Sequence, residues 1–337
     1  MKKVGLKEIA LHVGVSTTLV SYVLNGQAEQ KQVSKENTER IKKVAEELNY
    51  RPNQIAKSLK LLKTHTIGLV VADINYRFST GITRAIEAEA KKANYTVLFG
   101  SSNESGDTFE ELVNALINRQ VDGLILVPVE HAQPQIRMLQ KSGVPFVLLD
   151  RNFPEIETNH IALDNHKAAY DATTYLIRQG HQRIAFFNYQ TTFYHLHQRN
   201  QGYLDALKDN NIEFKKHWLQ EVNSSDRAGG IKLGLETILN HPEPCDAAFF
   251  ATDTLAINGL KYLNKHNIKV PEQMSVMSFD ESEAFDLFYC PVTHLEQPLE
   301  AMGKSAVDTL IGLIDHNKIN RQLSLESALV IGQSCRE

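Results

Sequence analysis

"VSTTLVSYVLNG", residues 15–26, is the stretch whose reading decides the fold of this chain. On a helical wheel of about 100° per residue, Thr17, Thr18, Ser21 and Tyr22 gather on one arc. Leu19, Val20, Val23 and Leu24 gather on the opposite arc. The stretch therefore predicts a helix with an apolar back and an uncharged front of hydroxyls and one phenol. Ser16 is placed to cap its N-terminus. Upstream, Leu6, Ile9, Ala10 and Val13 form the apolar stripe of a short helix that Gly14 breaks. Helix, short glycine-bearing turn and helix is the arrangement that lays its second helix in the major groove of DNA. An ordinary pair of surface helices has the same periodicity.

Downstream, a third helix is predicted from about Ser34 to Leu48, with Ile41, Val44, Ala45 and Leu48 as its buried stripe. Arg51-Pro52 ends it, because the residue before proline disfavours the helical region. Asn53 is placed to open a fourth short segment, "QIAKSLKLL". Charge divides at the same place. The whole chain of 337 residues carries a net charge of −4, yet its first 65 residues hold 12 Lys and Arg against 6 Asp and Glu. A basic head on an acidic body is expected when one small domain touches phosphate and the rest does not.

From Thr66 onward the pattern changes. "TIGLVVAD", "YTVLFGSS", "VDGLILVP" and "VPFVLLD" are apolar, β-branched runs separated by helix-like stretches, and "RIAFFNY", "AAFFATD" and "SVMSFD" repeat the theme after residue 180. Near-continuous apolar strands alternating with helices predict α/β architecture, parallel sheets covered on both faces. Two groups predict two doubly wound subdomains, with ligands expected at the carboxyl ends of the strands and in the cleft between the halves.

Other classes are disfavoured. Cys245, Cys290 and Cys335 are scattered and odd in number, which suits a reducing compartment and no disulfide framework. Charges at Lys7 and Glu8 interrupt any signal-peptide core, and no run approaches the roughly 20 apolar residues of a membrane span, so a cytoplasmic protein is expected. There is no glycine-rich phosphate loop and no nucleophile elbow, so no enzyme and no cofactor is expected. His195 and His197 form His-x-His, but no further metal ligands accompany them.

"LKEIALHVGVSTTLVSYVLNG", "VSKENTERIKKVAEELNYRPNQIAKSLK" and "TIGLVVADI" together resemble the lactose-repressor (LacI/GalR) family of bacterial transcription regulators. The likeness continues through "GHQRIAFFNY", "ATDTLAINGL", "SVMSFDE" and "THLEQPLEAMG" and covers almost the whole chain. It implies a helix-turn-helix domain at 1–52 and a hinge helix at 53–63. Residues 64–337 would then be a periplasmic-binding-protein-like body for effector binding and dimerisation. It also implies a homodimer on palindromic operator DNA, repression as the commoner role, and a sugar or sugar derivative as effector, whether inducer or co-repressor. The chain ends in "ALVIGQSCRE" without a leucine heptad, which leads to an expectation of a dimer and no tetramer tail.

Carried over by position, the resemblance makes Thr17, Thr18 and Tyr22 base-reading residues. It makes Ser16, Ser21 and Asn25 phosphate contacts or helix caps, which position without specifying. Many relatives have arginine where Tyr22 stands; arginine reads guanine bidentately and tyrosine cannot. In the hinge, Asn53, Lys57 and Lys60 become DNA contacts, and Leu59 becomes the wedge between base steps. About eight residues are too few to hold a helix alone, so the hinge is expected to fold only on DNA. In the body the resemblance points to Phe78, Ser79, Asp150, Arg151, Phe193, His195, Arg199, Thr252 and Asp280 as effector-binding. Phe78 and Ser79 are expected in the loop after the first strand, and Phe193 and His195 in the loop after "RIAFFNY". Carboxylates and a guanidinium among aromatic walls suit a polyol. Asp253 is expected to cap the next helix.

Overall fold

The computed structural model describes residues 4–50, 63–317 and 319–336. The described chain separates into two compact units, residues 1–64 and 65–337.

In the first unit, α1 (Leu6–Val13), α2 (Thr17–Leu24) and α3 (Lys35–Glu47) close around Ile9, Ala10, Val13, Val20, Val23, Ile41 and Ala45. These are the stripes that periodicity marks. Gly14 ends α1 in the left-handed region at φ +77°, where its N–H donates to the Ala10 carbonyl at 2.9 Å. Ser16 accepts from the Leu19 N–H at 3.2 Å and Ser34 from the Asn37 N–H at 3.3 Å, so both expected caps form. Arg40 of α3 donates to the Val13 carbonyl at 3.0 Å and ties the third helix to the end of the first. The expected hinge helix, with Asn53, Lys57, Leu59 and Lys60, lies outside the described residues apart from Lys63 at its end.

The second unit holds two six-stranded sheets. The first runs in the order β11-β5-β4-β3-β1-β2, from β1 (Thr66–Val71), β2 (Thr96–Ser101), β3 (Gly123–Leu126), β4 (Phe146–Leu149), β5 (His160–Leu163) and β11 (Gln322–Leu325). The second runs β12-β10-β9-β8-β6-β7, from β6 (Ile184–Tyr189), β7 (Leu219–Val222), β8 (Ala247–Phe250), β9 (Ser275–Phe279), β10 (Thr293–Glu296) and β12 (Ala328–Val330). All pairings are parallel except β10 with β12. Each half repeats one strand order, second-first-third-fourth-fifth, and so has one switch point beside its first strand.

In the first half, α4 (Arg77–Lys92) and α12 (Leu299–Ile314) cover one face of the sheet around Ile67, Leu69, Ile86 and Leu310. On the other face, α5 (Gly106–Asn118) and α6 (Gln133–Ser142) pack around Phe109, Val113, Leu126 and Ile136. In the second half, α7 (Asn165–Arg178), α8 (Tyr194–Asp209), α9 (Arg227–Leu239) and α10 (Asp253–Lys265) surround an aromatic core that includes Phe186, Phe187, Phe249, Phe250 and Tyr203. A four-residue helix, α11 (Glu283–Asp286), follows β9. The chain crosses between halves three times. β5 leads into α7, β10 leads back to α12 and β11, and β12 returns to the second sheet.

Two expectations need correction here. "YTVLFGSS" reads as a strand buried on both faces, but β2 is an edge strand with Leu98 and Phe99 exposed. Hydropathy marks the strand, whereas its place in the sheet order decides whether anything covers it. Asp253 does not cap α10. Thr252 is the cap, accepting from the Leu255 N–H at 3.3 Å, while Asp253 turns one oxygen to its neighbour's Thr254 N–H at 2.6 Å.

Candidate functional site

In the head, Thr17 and Thr18 are exposed and Ser21 and Tyr22 half-buried on the front of α2, while Val20 and Val23 are buried behind. Ser16 is committed as the N-cap, and Asn25 closes the far end, donating to the Ser21 carbonyl at 2.8 Å and the Ser21 hydroxyl at 3.1 Å. The Lys31 ammonium stands 5.6 Å from the Tyr22 ring centre, a cation–π contact that brings a positive charge beside the phenol. The front of this helix thus offers two exposed threonine hydroxyls, a serine hydroxyl that already accepts from Asn25, and one aromatic ring, with a lysine at its edge.

In the body, the residues carried over by position converge on the carboxyl ends of the strands. Asp150 directly follows β4 and Asp280 directly follows β9. Phe78 and Ser79 stand in the first turn of α4, and His195 in the first turn of α8 with Phe193 just before it, so both helices begin earlier than expected. A βα turn of a few residues suffices to reverse the chain, and helical bonding starts at once. His195 and Arg199 lie four residues apart on α8 and share its inner face, which is why both are buried.

Three guanidiniums organise the cleft. Arg151 grips Glu104 with two bonds of 2.8 Å and lies 4.2 Å over the Phe193 ring. Its Nε, buried, has no hydrogen-bond partner and faces Asp150 at 3.7 Å. Arg199 donates to Asn165 at 2.8 Å and to the Ala251 carbonyl at 2.6 Å, lies flat on Phe279 at 3.4 Å, and stands 3.8 Å from Asp280. Arg77 crosses from the first half to Glu281 at 2.8 Å and Glu283 at 3.2 Å in the second. Glu130 makes a further tie between the halves, accepting from the Thr191 hydroxyl and from the Thr192 N–H at 2.7 Å. Arg77, Phe78, Asp280, Glu281, Gln297 and Leu299 line a small depression open to solvent.

Burial sets the electrostatics. It pushes the Asp150 carboxyl up to about 6, against the pull of Arg151 and Arg199. It does the same to Asp253, with the Asp280 charge adding to the effect. Asp280 is raised too, chiefly by burial. Burial, with Arg151 and Arg199 nearby, drives His195 far below the ordinary histidine range, so its ring is neutral at physiological pH. The His195 Nδ1 is buried with no hydrogen-bond partner. Thr252 is occupied as a cap, and the Tyr189 hydroxyl reaches it. Among the described residues no cluster of three His, Cys, Asp or Glu side chains has metal-binding geometry.

Sequence reasoning missed Glu104, Asn165 and Gln297. Each falls within three residues of a strand's carboxyl end, after β2, β5 and β10. The rule that ligands bind at strand ends was signal enough for Glu104. The other two needed β5 and β10, whose short strands hydropathy alone does not mark.

Comparison with known proteins gives a consistent picture. Residues 5–53 match the model of bacterial regulatory proteins of the lacI family, and residues 173–335 match the periplasmic binding protein-like domain. The chain is 30% identical to the ribose operon repressor of Haemophilus influenzae over 330 residues, 98% of each protein. Among solved structures, a complex of the transcriptional regulator CelR with cellobiose is 27% identical, covers 98% of this chain and 100% of that one, and superposes with a TM-score of 0.73. The lac repressor dimer bound to operator and an anti-inducer matches in fold, with 23% identity, full coverage of both chains and a TM-score of 0.88.

Proposed function

The chain belongs to the lacI family of bacterial regulatory proteins, and on that premise we propose that it represses transcription as a homodimer on a palindromic operator, under control of a small effector, a sugar or sugar derivative. Thr17, Thr18 and Tyr22 read bases; Ser16, Ser21 and Asn25 shape the helix that presents them. Asn53, Lys57, Leu59 and Lys60 serve as hinge contacts on the strength of the resemblance alone. The protein acts in the cytoplasm, where its operator is, and catalyses nothing. No described helix is long and apolar enough to cross a membrane.

The observation that carries the effector half is the convergence of Asp150, Arg199 and Asp280 from both halves of the body on one buried site, with aromatic rings beside them. Such a set takes hydroxyls bidentately and stacks on a sugar's apolar face. Phe78, Ser79, Arg151, Phe193, His195 and Thr252 complete the lining. For the dimer, Leu98 and Phe99 on the β2 edge, together with Leu287 and Tyr289 after α11, give each copy exposed apolar side chains to bury. The effector controls the operator only through unequal affinity for two states, and a coupling of about 1–3 kcal/mol changes operator affinity roughly 5- to 150-fold.

Fluorescence anisotropy on a palindrome selected from random DNA tests this, repeated with a panel of sugars and their derivatives. Tight, salt-dependent binding that one compound releases or strengthens is the expected result. The absence of any preferred sequence would overturn the operator reading.

A further inference from the structure

Taking the cleft as the effector site, we propose that the effector carries no phosphate or carboxylate, and that the cleft accepts an amino-substituted polyol at least as well as the neutral parent.

The charge of each of the three cleft arginines is already faced by a carboxylate. Arg77 is held by Glu281 through Nε at 3.1 Å and Nη2 at 2.8 Å, and by Glu283 through Nη1 at 3.2 Å. Arg151 gives both terminal nitrogens to Glu104, and Nη1 also reaches the Pro128 carbonyl at 3.3 Å. Arg199 gives Nε to Asn165 and Nη1 to the Ala251 carbonyl and lays its face on Phe279, which leaves Nη2 without a hydrogen bond among the described residues, beside the Asp280 carboxylate that faces Nη1 at 3.8 Å.

The spare groups are acceptors. The Asp150 carboxylate is buried and takes no hydrogen bond among the described residues; its nearest cation there is Arg151 Nε at 3.7 Å. Asp280 receives Gln297 Nε2 on one oxygen at 2.6 Å, while its other oxygen stands 3.8 Å from Arg199. Asp253 uses one oxygen on Thr254 and leaves the other without a partner among the described residues. Gln297 Oε1 is buried with no partner.

A phosphate or carboxylate accepts hydrogen bonds and donates none when ionised. Entering this cleft, it would have to displace a carboxylate from an arginine or stand against Asp150, Asp253 and Asp280 in a medium that screens poorly. A hydroxyl both donates and accepts. It satisfies the acceptors while its lone pairs take Arg151 Nε and the backbone N–H groups that open α4 and α8, two helices without a side-chain cap. An ammonium in place of one hydroxyl adds donors and a charge of the sign the spare groups favour. The exception is Arg227, half-buried in the first turn of α9. It has no carboxylate within ion-pair distance among the described residues, and it reaches the Tyr189 hydroxyl. An anionic effector would have to use it, or compete with Asp280 for Arg199.

Calorimetry on the full-length protein at pH 7.5 decides the matter. The ligands are matched sets built on ribose, fructose, glucose and galactose: the neutral sugar, its phosphate ester, its acid and its amino derivative. Within the set that binds best, the ester and the acid should bind at least about tenfold more weakly than the neutral sugar. The amino form should bind within about threefold of it or tighter. Asp150→Asn should remove any advantage of the amine. Tighter binding by an ester or acid, lost in Arg227→Gln, would overturn the proposal and leave the cleft reading intact. Silence from every set, in protein that still binds its operator, would overturn the cleft reading and this proposal with it.

Discussion

Asp150 and Asp280 occupy the same place in the two halves of the body. Each directly follows the fourth strand of its half, and each holds a left-handed backbone conformation, at φ +65° and +66°. Each carboxyl is raised by burial, and the Asp280 charge lifts Asp150 further. Left-handed backbone is costly for most residues and tolerated best by Gly, Asn and Asp. In this conformation the two turns bring one carboxyl each from the two halves to the cleft.

Asp150→Asn should therefore fold normally, because asparagine accepts the same backbone, and should bind effector about tenfold or more weakly. Asp150→Val should lose on the order of 1–2 kcal/mol from backbone strain alone. Chemical denaturation of the two variants checks this. Equal stability would mean the turn is not strained.

The raised carboxyls predict a pH dependence with a definite sign. Asp150 and Asp253 titrate near 6 in the fold against an ordinary value of 3.8. Between those values the folded chain holds protons that the unfolded chain has lost. Their contribution to stability is fully present below about 4 and is lost as pH rises through about 6, on the order of 3 kcal/mol or less per group. The melting temperature of Asp150→Asn should gain on that of the parent between pH 5 and pH 7.5. A difference independent of pH would contradict the assignment.

Arg199 combines structure and binding. Removing its guanidinium in Arg199→Met strands Asp280, Asn165 and the Ala251 carbonyl in a buried site. A loss of about 3–5 kcal/mol is expected, with effector binding abolished. Urea denaturation gives the first number; a loss below about 1 kcal/mol would show that water replaces the guanidinium.

Tyr22→Ala should weaken operator binding by about 1–3 kcal/mol without changing the stability of the head, since the ring packs on the front of α2 and not in its core. Tyr22→Arg should move the preferred base at one position of each half-site toward guanine. Selection from random DNA with each variant reads both effects, and an unchanged preferred site would remove Tyr22 from the reading face.

Gly202 lets α7 and α8 meet. A Cβ there would stand 2.2 Å from the His166 carbonyl oxygen and 3.0 Å from the Tyr170 nitrogen, backbone atoms that cannot turn aside. Gly202→Ala should cost about 1–3 kcal/mol or more, read as a fall in denaturation midpoint. A stable variant would mean that the two helices slide apart freely.

Much of this molecule was legible in its residues. The stripes Leu6–Val13, Leu19–Leu24 and Ile41–Leu48 face inward as a 3.6-residue period requires, and Gly14, Ser16 and Ser34 punctuate the helices through local chemistry alone. The seven apolar runs of the body are strands because each carries its own hydrophobic signal. Asp150 and Asp280 could be named from sequence because the family resemblance points to them, and both end such runs.

Pairing over long distances was not legible. Nothing local says that Gln322–Leu325 joins the sheet of residues 66–163, or that residues 299–314 return to cover it. Those choices are made by which edge and which face remain uncovered once the other elements have packed. The same holds for Phe99, exposed because β2 ends the sheet order, and for the pairing of Arg151 with Glu104, 47 residues apart. The sequence by itself determined the kinds of element, their punctuation and the residues at the strand ends, since each depends on a few neighbouring side chains. The tertiary structure alone decided which carboxylates stayed unpaired, because an ion pair depends on where two distant strand ends meet.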